Sequence, residues 1–133
     1  MINYPEKAVY TYDDLVDILR ILRAPGGCPW DREQTHKSNR RNFLEEAYEA
    51  AEAFDLDDPE LMKEELGDVL FAAVKVGRFC GVDPEAALSK TCEKFIARFR
   101  KVEETVNARG EDMSALPLDE LMALWNDAKE QLR

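Results

Sequence analysis

Two short runs decide how this chain reads: Phe43-Leu44-Glu45-Glu46-Ala47-Tyr48-Glu49 and, after a break at Asp57-Asp58-Pro59, Glu64-Glu65-Leu66-Gly67-Asp68-Val69. If both arms are helical, Glu46 and Glu49 lie three residues apart on one face, and so do Glu65 and Asp68. Two such helices in antiparallel contact would gather four carboxylates around one point. Like charges at that range repel unless a cation sits among them. Donors that are all carboxylate oxygen suit a hard divalent ion, Mg²⁺ or Mn²⁺, rather than zinc or copper.

The chain around these runs reads as helices throughout. Thr11 with Asp14 three residues on resembles a capping box and opens a first helix over Tyr12 to Arg23, with Leu15, Ile18, Leu19 and Leu22 on one face. Two prolines and two glycines from Ala24 to Asp31 rule out regular structure there. A second helix runs from about Ser38 to Phe54. Asp58 caps and Pro59 starts a third, expected to reach Cys80 with Gly81 as its left-handed stop. Asp83 and Pro84 repeat the device for a fourth helix to Ala108. After Gly110 and Pro117 a last helix covers about Leu118 to Leu132. No segment alternates as a strand would. The expected fold is all-α, a bundle of about five helices in a single domain over residues 1–133.

Composition narrows the function classes. The 133 residues are 45% hydrophobic and 35% charged, a soluble globular profile rather than a disordered one. A net charge of −10 argues against a nucleic-acid polymer or an anionic membrane as main partner. Three scattered cysteines without a Cys-x-x-Cys pair read as reduced thiols, hence a cytoplasmic protein. The N-terminal residues show no signal-peptide pattern, and no apolar run is long enough to span a bilayer.

A Glu-rich helix face is most often simply hydrated. The main apolar stripe of the second helix is Leu44, Ala47, Tyr48 and Ala51, and Glu46 and Glu49 fall roughly opposite it. Their own face, however, carries Ala50 and Ala53, small enough to admit another helix. The third helix is apolar almost all round from Val69 to Gly77, Lys75 being its one charge, which predicts burial in a core or an interface. Carboxylates at the edge of such a segment need compensation. Gly67, inside that helix, costs about 1 kcal/mol relative to Ala, and close approach of another backbone or a ligand is one reason to keep it.

A second constellation lies on the fourth helix. Lys90, Lys94, Arg98 and Lys101 form a basic stripe beside Phe95, Phe99, Val102 and Val106. A metal-chelated phosphate ester needs such cations; an ordinary salt-bridged face, with Glu93 or Asp112 as partners, is the alternative. His36 is the single histidine, so neither a zinc site nor a Ser-His-Asp triad has material. Trp30 and Trp125 offer faces for stacking on a base, or ordinary packing.

On these residues the chain resembles the MazG nucleoside triphosphate pyrophosphohydrolases, an all-α family. The likeness includes Gly27-Cys28-Pro29-Trp30-Asp31 with Gln34-Thr35-His36, the two acidic runs, Lys94-Phe95-Ile96-Ala97-Arg98-Phe99, and Ala108-Arg109-Gly110. It implies that Glu46, Glu49, Glu65 and Asp68 bind Mg²⁺ (Mn²⁺ being the substitute) and that a metal-activated water attacks the α-phosphorus of a nucleoside triphosphate. The products would be a nucleoside monophosphate and pyrophosphate, in nucleotide-pool house-cleaning. It further implies that Lys94 and Arg98 contact the triphosphate, that Trp125 lies near the nucleotide and that Glu45, with Glu46, orients the water. A homodimer or homotetramer is implied too. Where some members carry a Lys shortly before the Glu-Glu pair, this chain has Arg40, Arg41 and Asn42. The competing reading is a non-catalytic helical regulatory or partner-binding module that keeps the fold.

Overall fold

The computed structural model describes residues 2–133. Among them are six α-helices, one 3-10 turn and no strand, so the all-α expectation holds. The helices are α1 (Tyr12–Arg23), α2 (Pro29–Arg32), α3 (His36–Asp55), α4 (Pro59–Phe79), α5 (Pro84–Ala108) and α6 (Leu118–Gln131), with the 3-10 turn at Met113–Ala115. None is long and apolar enough to cross a membrane. The helix beyond the expected five is α2, which corrects the reading of Ala24 to Asp31 as wholly irregular. Pro29 there occupies the first turn, where its fixed φ suits a helix and its missing N–H leaves no donor unpaired.

Local signals set the remaining boundaries. The Thr11 hydroxyl accepts from the Asp14 N–H, and the Asp14 carboxylate accepts from the Thr11 N–H at 2.8 Å, the reciprocal bonds of a capping box. Thr35 and Ser38 repeat it at α3, which therefore starts two residues before the expected Ser38. Asp58 accepts from the N–H groups of Glu60 and Leu61 to begin α4. The turn before it needs Asp57 in the left-handed region, φ +53°, a conformation Asp tolerates better than most residues. At its other end α4 stops at Cys80, and Gly81 is left-handed as expected.

The chain divides into two compact units, one ending at Pro84 and one covering Glu85–Arg133. In the first, α3 packs chiefly on α4, and α1 touches α2 and α4. The His36 ring at the start of α3 meets the Phe79 ring at the end of α4, 5.0 Å between centroids, so the pair is antiparallel. The second unit closes around Val102 and Val106 of α5 and Leu124 and Ala128 of α6, with Met113, Leu116 and Trp125 against them. Arg109 bonds Glu120 at 2.8 Å across the link between α5 and α6.

Which face of α3 is buried decides where the acidic residues go. Ala53 is fully buried, Ala50 and Asn39 nearly so, and Asn42 and Glu46 half-buried on the same face. The stripe of Leu44 and Tyr48 instead looks outward, Tyr48 being 71% exposed. Alanines at 50 and 53 let α4 come close, whereas Tyr48 on that face would hold it off. On α4 the burial expected from Val69 to Gly77 is partial: Ala72 and Val74 are buried, while Leu70 and Phe71 are 61% and 40% exposed.

The two glycines of α4 differ. A Cβ at Gly77 would stand 2.6 Å from Cγ of Pro84, so the backbone passes there only because the residue is glycine. A Cβ at Gly67 would meet nothing within 4 Å. Among the described residues nothing fills the space a side chain at Gly67 would take, so close approach of the chain's own backbone is not what the glycine serves.

A candidate metal centre on the α3–α4 hairpin

Because α3 presents its alanine face to α4, the carboxylates on that face are carried into the seam. One oxygen from each of Glu46, Glu49 and Glu65 lies within 4.8 Å of the others. Glu46 is oriented by Asn42 one turn earlier, whose Nδ2 donates to Oε1 at 2.9 Å. Asp68 is exposed and outside this trio, though near enough for its charge to act on Glu65. Glu45 is also outside it. Its carboxylate accepts from Arg41 Nε at 2.8 Å on the open side of α3.

The electrostatics carry the mark of crowding. Partial burial pushes the Glu65 carboxyl above the ordinary carboxylate range, and repulsion from Glu49, then Asp68, Glu64 and Glu46, pushes it the same way. Among the described residues none of Glu46, Glu49 and Glu65 has a Lys, Arg or His within ion-pair distance. The donor set therefore fits a cation: three oxygens of formal negative charge, already grouped, with nothing positive between them. An oxygen-only set matches Mg²⁺ or Mn²⁺ better than a softer metal.

In the second unit the basic stripe is less neutralised than the salt-bridged alternative requires. Lys101 approaches Glu104 at 3.9 Å, but Lys94 and Arg98 form no ion pair among the described residues. The Nε atom of Arg98 is buried without a hydrogen-bond partner. An unpaired buried donor costs about 1–3 kcal/mol, which an anionic acceptor would offset. Trp125 stands 5.3 Å from the Phe95 ring and joins Phe99, Val102, Met113, Leu121 and Met122 around an apolar cavity of about 310 Å³.

Two features lie outside the site residues that the sequence suggests. Asn42 stands four residues before Glu46, and that spacing is the signal in the sequence for their bond. Trp30 on α2 is 64% exposed, with the Lys75 ammonium 5.2 Å above its ring, which explains the single charge in the apolar part of α4. Nothing in the spacing of those two residues announced the pair.

An all-helical chain with an acidic hairpin of this kind belongs to a recognisable class, and comparison with known proteins identifies it. Residues 34–103 match the model of the MazG nucleotide pyrophosphohydrolase domain, a span that holds the whole acidic hairpin. The chain belongs to that family. It is 44% identical over 81 residues to the nucleoside triphosphate pyrophosphohydrolase/pyrophosphatase MazG of Thermotoga maritima, covering 61% of this chain and 32% of that protein. It is 35% identical over 130 residues to the uncharacterized protein YabN of Bacillus subtilis, covering 94% of this chain and 25% of YabN. The chain thus spans a quarter to a third of these curated relatives. The crystal structure of a mazG-related protein from Thermotoga maritima superposes with a TM-score of 0.62 at 28% identity, covering 89% of this chain and 98% of that one.

Proposed function

We propose that residues 1–133 act as one MazG-like domain that hydrolyses nucleoside triphosphates, ribo- or deoxyribo-, to the monophosphate and pyrophosphate with Mg²⁺, Mn²⁺ being able to substitute. The observation that carries this reading is the convergence of Glu46, Glu49 and Glu65 within 4.8 Å. Relatives named nucleoside triphosphate pyrophosphohydrolase supply the reaction.

Glu46, Glu49, Glu65 and Asp68 would hold the ion. Bound there, it would neutralise charge building on the phosphates and make water a better nucleophile near neutral pH. The chain's own residues do the rest. Asn42 donates to one oxygen of Glu46 and so orients that carboxylate. Asp68, exposed one turn beyond Glu65, would add a fourth carboxylate to the set that holds the ion. Glu45 and Glu46 orient the attacking water; the exposed bond from Arg41 holds Glu45 by only about 0.3–0.5 kcal/mol, so it is readily given up. Lys94 and Arg98 contact the triphosphate, the unpartnered Nε of Arg98 being a donor in want of an anion. Trp125, with an apolar cavity beside it, packs near the nucleotide.

The role is clearance of non-standard or excess nucleotides in the cytoplasm, performed by a homodimer or homotetramer. Leu66, Leu70 and Phe71, apolar and exposed on α4, are what such an assembly would cover. The test is pyrophosphate release from a panel of NTPs and dNTPs with and without Mg²⁺. Metal-dependent release from at least one of them is expected. No release from any, at micromolar protein, would return the non-catalytic module as the better reading.

A further inference from the structure

One face of α4 carries its charges in an order that complements itself when reversed. Glu64, Asp68, Phe71, Lys75 and Arg78 follow at intervals of four, three, four and three. At about 100° per residue, all five fall within about 80° of arc. Both acids precede Phe71 and both bases follow it. Glu64, Asp68 and Arg78 are exposed, Phe71 is 40% exposed and Lys75 is half-buried. None of the four charged groups forms an ion pair among the described residues. Within the helix the nearest neighbours along this stripe are like charges, Glu64 with Asp68 and Lys75 with Arg78, a placement that weakens a helix standing alone.

A second α4 laid antiparallel, with a two-fold axis at Phe71, supplies each charge with its opposite. Phe71 then meets its own symmetry copy and Glu64 faces Arg78 of the partner subunit. Asp68 comes within one residue of register with Lys75 of the partner subunit. The symmetry makes each pair twice, so opposite charges flank one apolar contact on both sides. A parallel arrangement would set acid on acid and base on base. Trp30, 64% exposed beside Lys75, adds apolar area at each basic end. A polyanion would meet the acidic half of this stripe and a basic partner its other half. The chain itself carries both halves in the order required.

We propose that two copies of this chain associate through α4 in this antiparallel register, each bringing its Lys75 to the acidic hairpin of the other. The inference rests on the assembly and the carboxylate set proposed above, and it names the surface and the residues that join them. Asp68 belongs to that set, and its own chain places no cation at ion-pair distance from it among the described residues. The second copy supplies the missing positive charge at the rim of the site.

Glu64 and Arg78 are the residues to change, since neither belongs to the proposed site. Analytical ultracentrifugation would compare wild type, Glu64→Arg, Arg78→Glu and an equal mixture of the two variants, with folding checked by circular dichroism. Each reversal alone sets like charges opposite one another twice per pair and should weaken association about tenfold or more. The mixture should recover it, because one chain then carries two bases at these positions and the other two acids. Native mass spectrometry should find one copy of each in the recovered species. Single variants that associate as tightly as wild type, or folded variants that stay apart when mixed, would overturn the proposal. Neither result bears on nucleotide hydrolysis, which pyrophosphate release tests separately. A wild type that remains monomeric at its highest soluble concentration would overturn both this interface and the assembly it rests on.

Discussion

Single side chains set both the edge of the fold and the charge of the site. Asp14 accepts from Thr11 and Lys7, and these bonds, that from Lys7 foremost, lower its carboxyl to about 2. A depressed folded value stabilises the protein at all pH above the unfolded value of 3.8, and that contribution fades as pH falls toward about 2. The melting temperature of wild type should therefore exceed that of Asp14→Asn at pH 7, and the gap should close between pH 4 and pH 2. Thr11→Ala removes the cap at the same helix start and should cost about 1 kcal/mol in denaturant unfolding. Glu65 behaves oppositely. Its raised value means the charged form is disfavoured until something positive arrives, so Glu65→Gln should leave the metal-free protein as stable as wild type or more so. Thr11 with Asp14 was legible in advance because capping is local, fixed by residues three apart. The shift at Glu65 was not, since its largest cause is partial burial in the folded chain and the next is Glu49 on another helix.

At the level of elements, most of the fold follows from punctuation. Thr11, Asp58-Pro59 and Pro84 mark helix starts, and Gly81 and Gly110 mark stops, within a residue or two of the observed bounds. The face that α3 buries did not follow. Periodicity favours Leu44 and Tyr48, but the structure buries Ala50 and Ala53, because a tight two-helix seam selects small residues over large ones. Ala53→Leu should accordingly overpack the seam, cost about 1–3 kcal/mol and weaken metal binding by moving Glu46 and Glu49 away from Glu65. The two glycines of α4 give a paired test. Gly77→Ala should destabilise through contact with Pro84, whereas Gly67→Ala should gain up to about 1 kcal/mol of helix stability. Thermal melts of both variants would check this, and a destabilising Gly67→Ala would mean that something outside the chain packs there.

For the whole molecule, charge and exposed apolar surface are the quantities to measure. A chain of net charge −10 that groups three carboxylates should bind divalent cations more tightly at low ionic strength, where screening is weak. If the folded form alone binds Mg²⁺, the ion at a hundred times its dissociation constant should add about 2.7 kcal/mol of stability, seen as a higher melting temperature. Light scattering should report a dimer or tetramer, and Leu70→Asp should shift it toward monomer. The substrate contacts proposed for Lys94, Arg98 and Trp125 rest on family resemblance, because a basic stripe has many uses and its spacing does not choose among them. The most direct test of the metal centre is calorimetric titration of Mg²⁺ into wild type and Glu49→Gln, with helicity checked by circular dichroism. Saturable binding in wild type, weakened about a hundredfold or more in a folded variant, is the predicted result. Equal binding in the two proteins, or none in wild type, would contradict the claim that α3 and α4 share an ion.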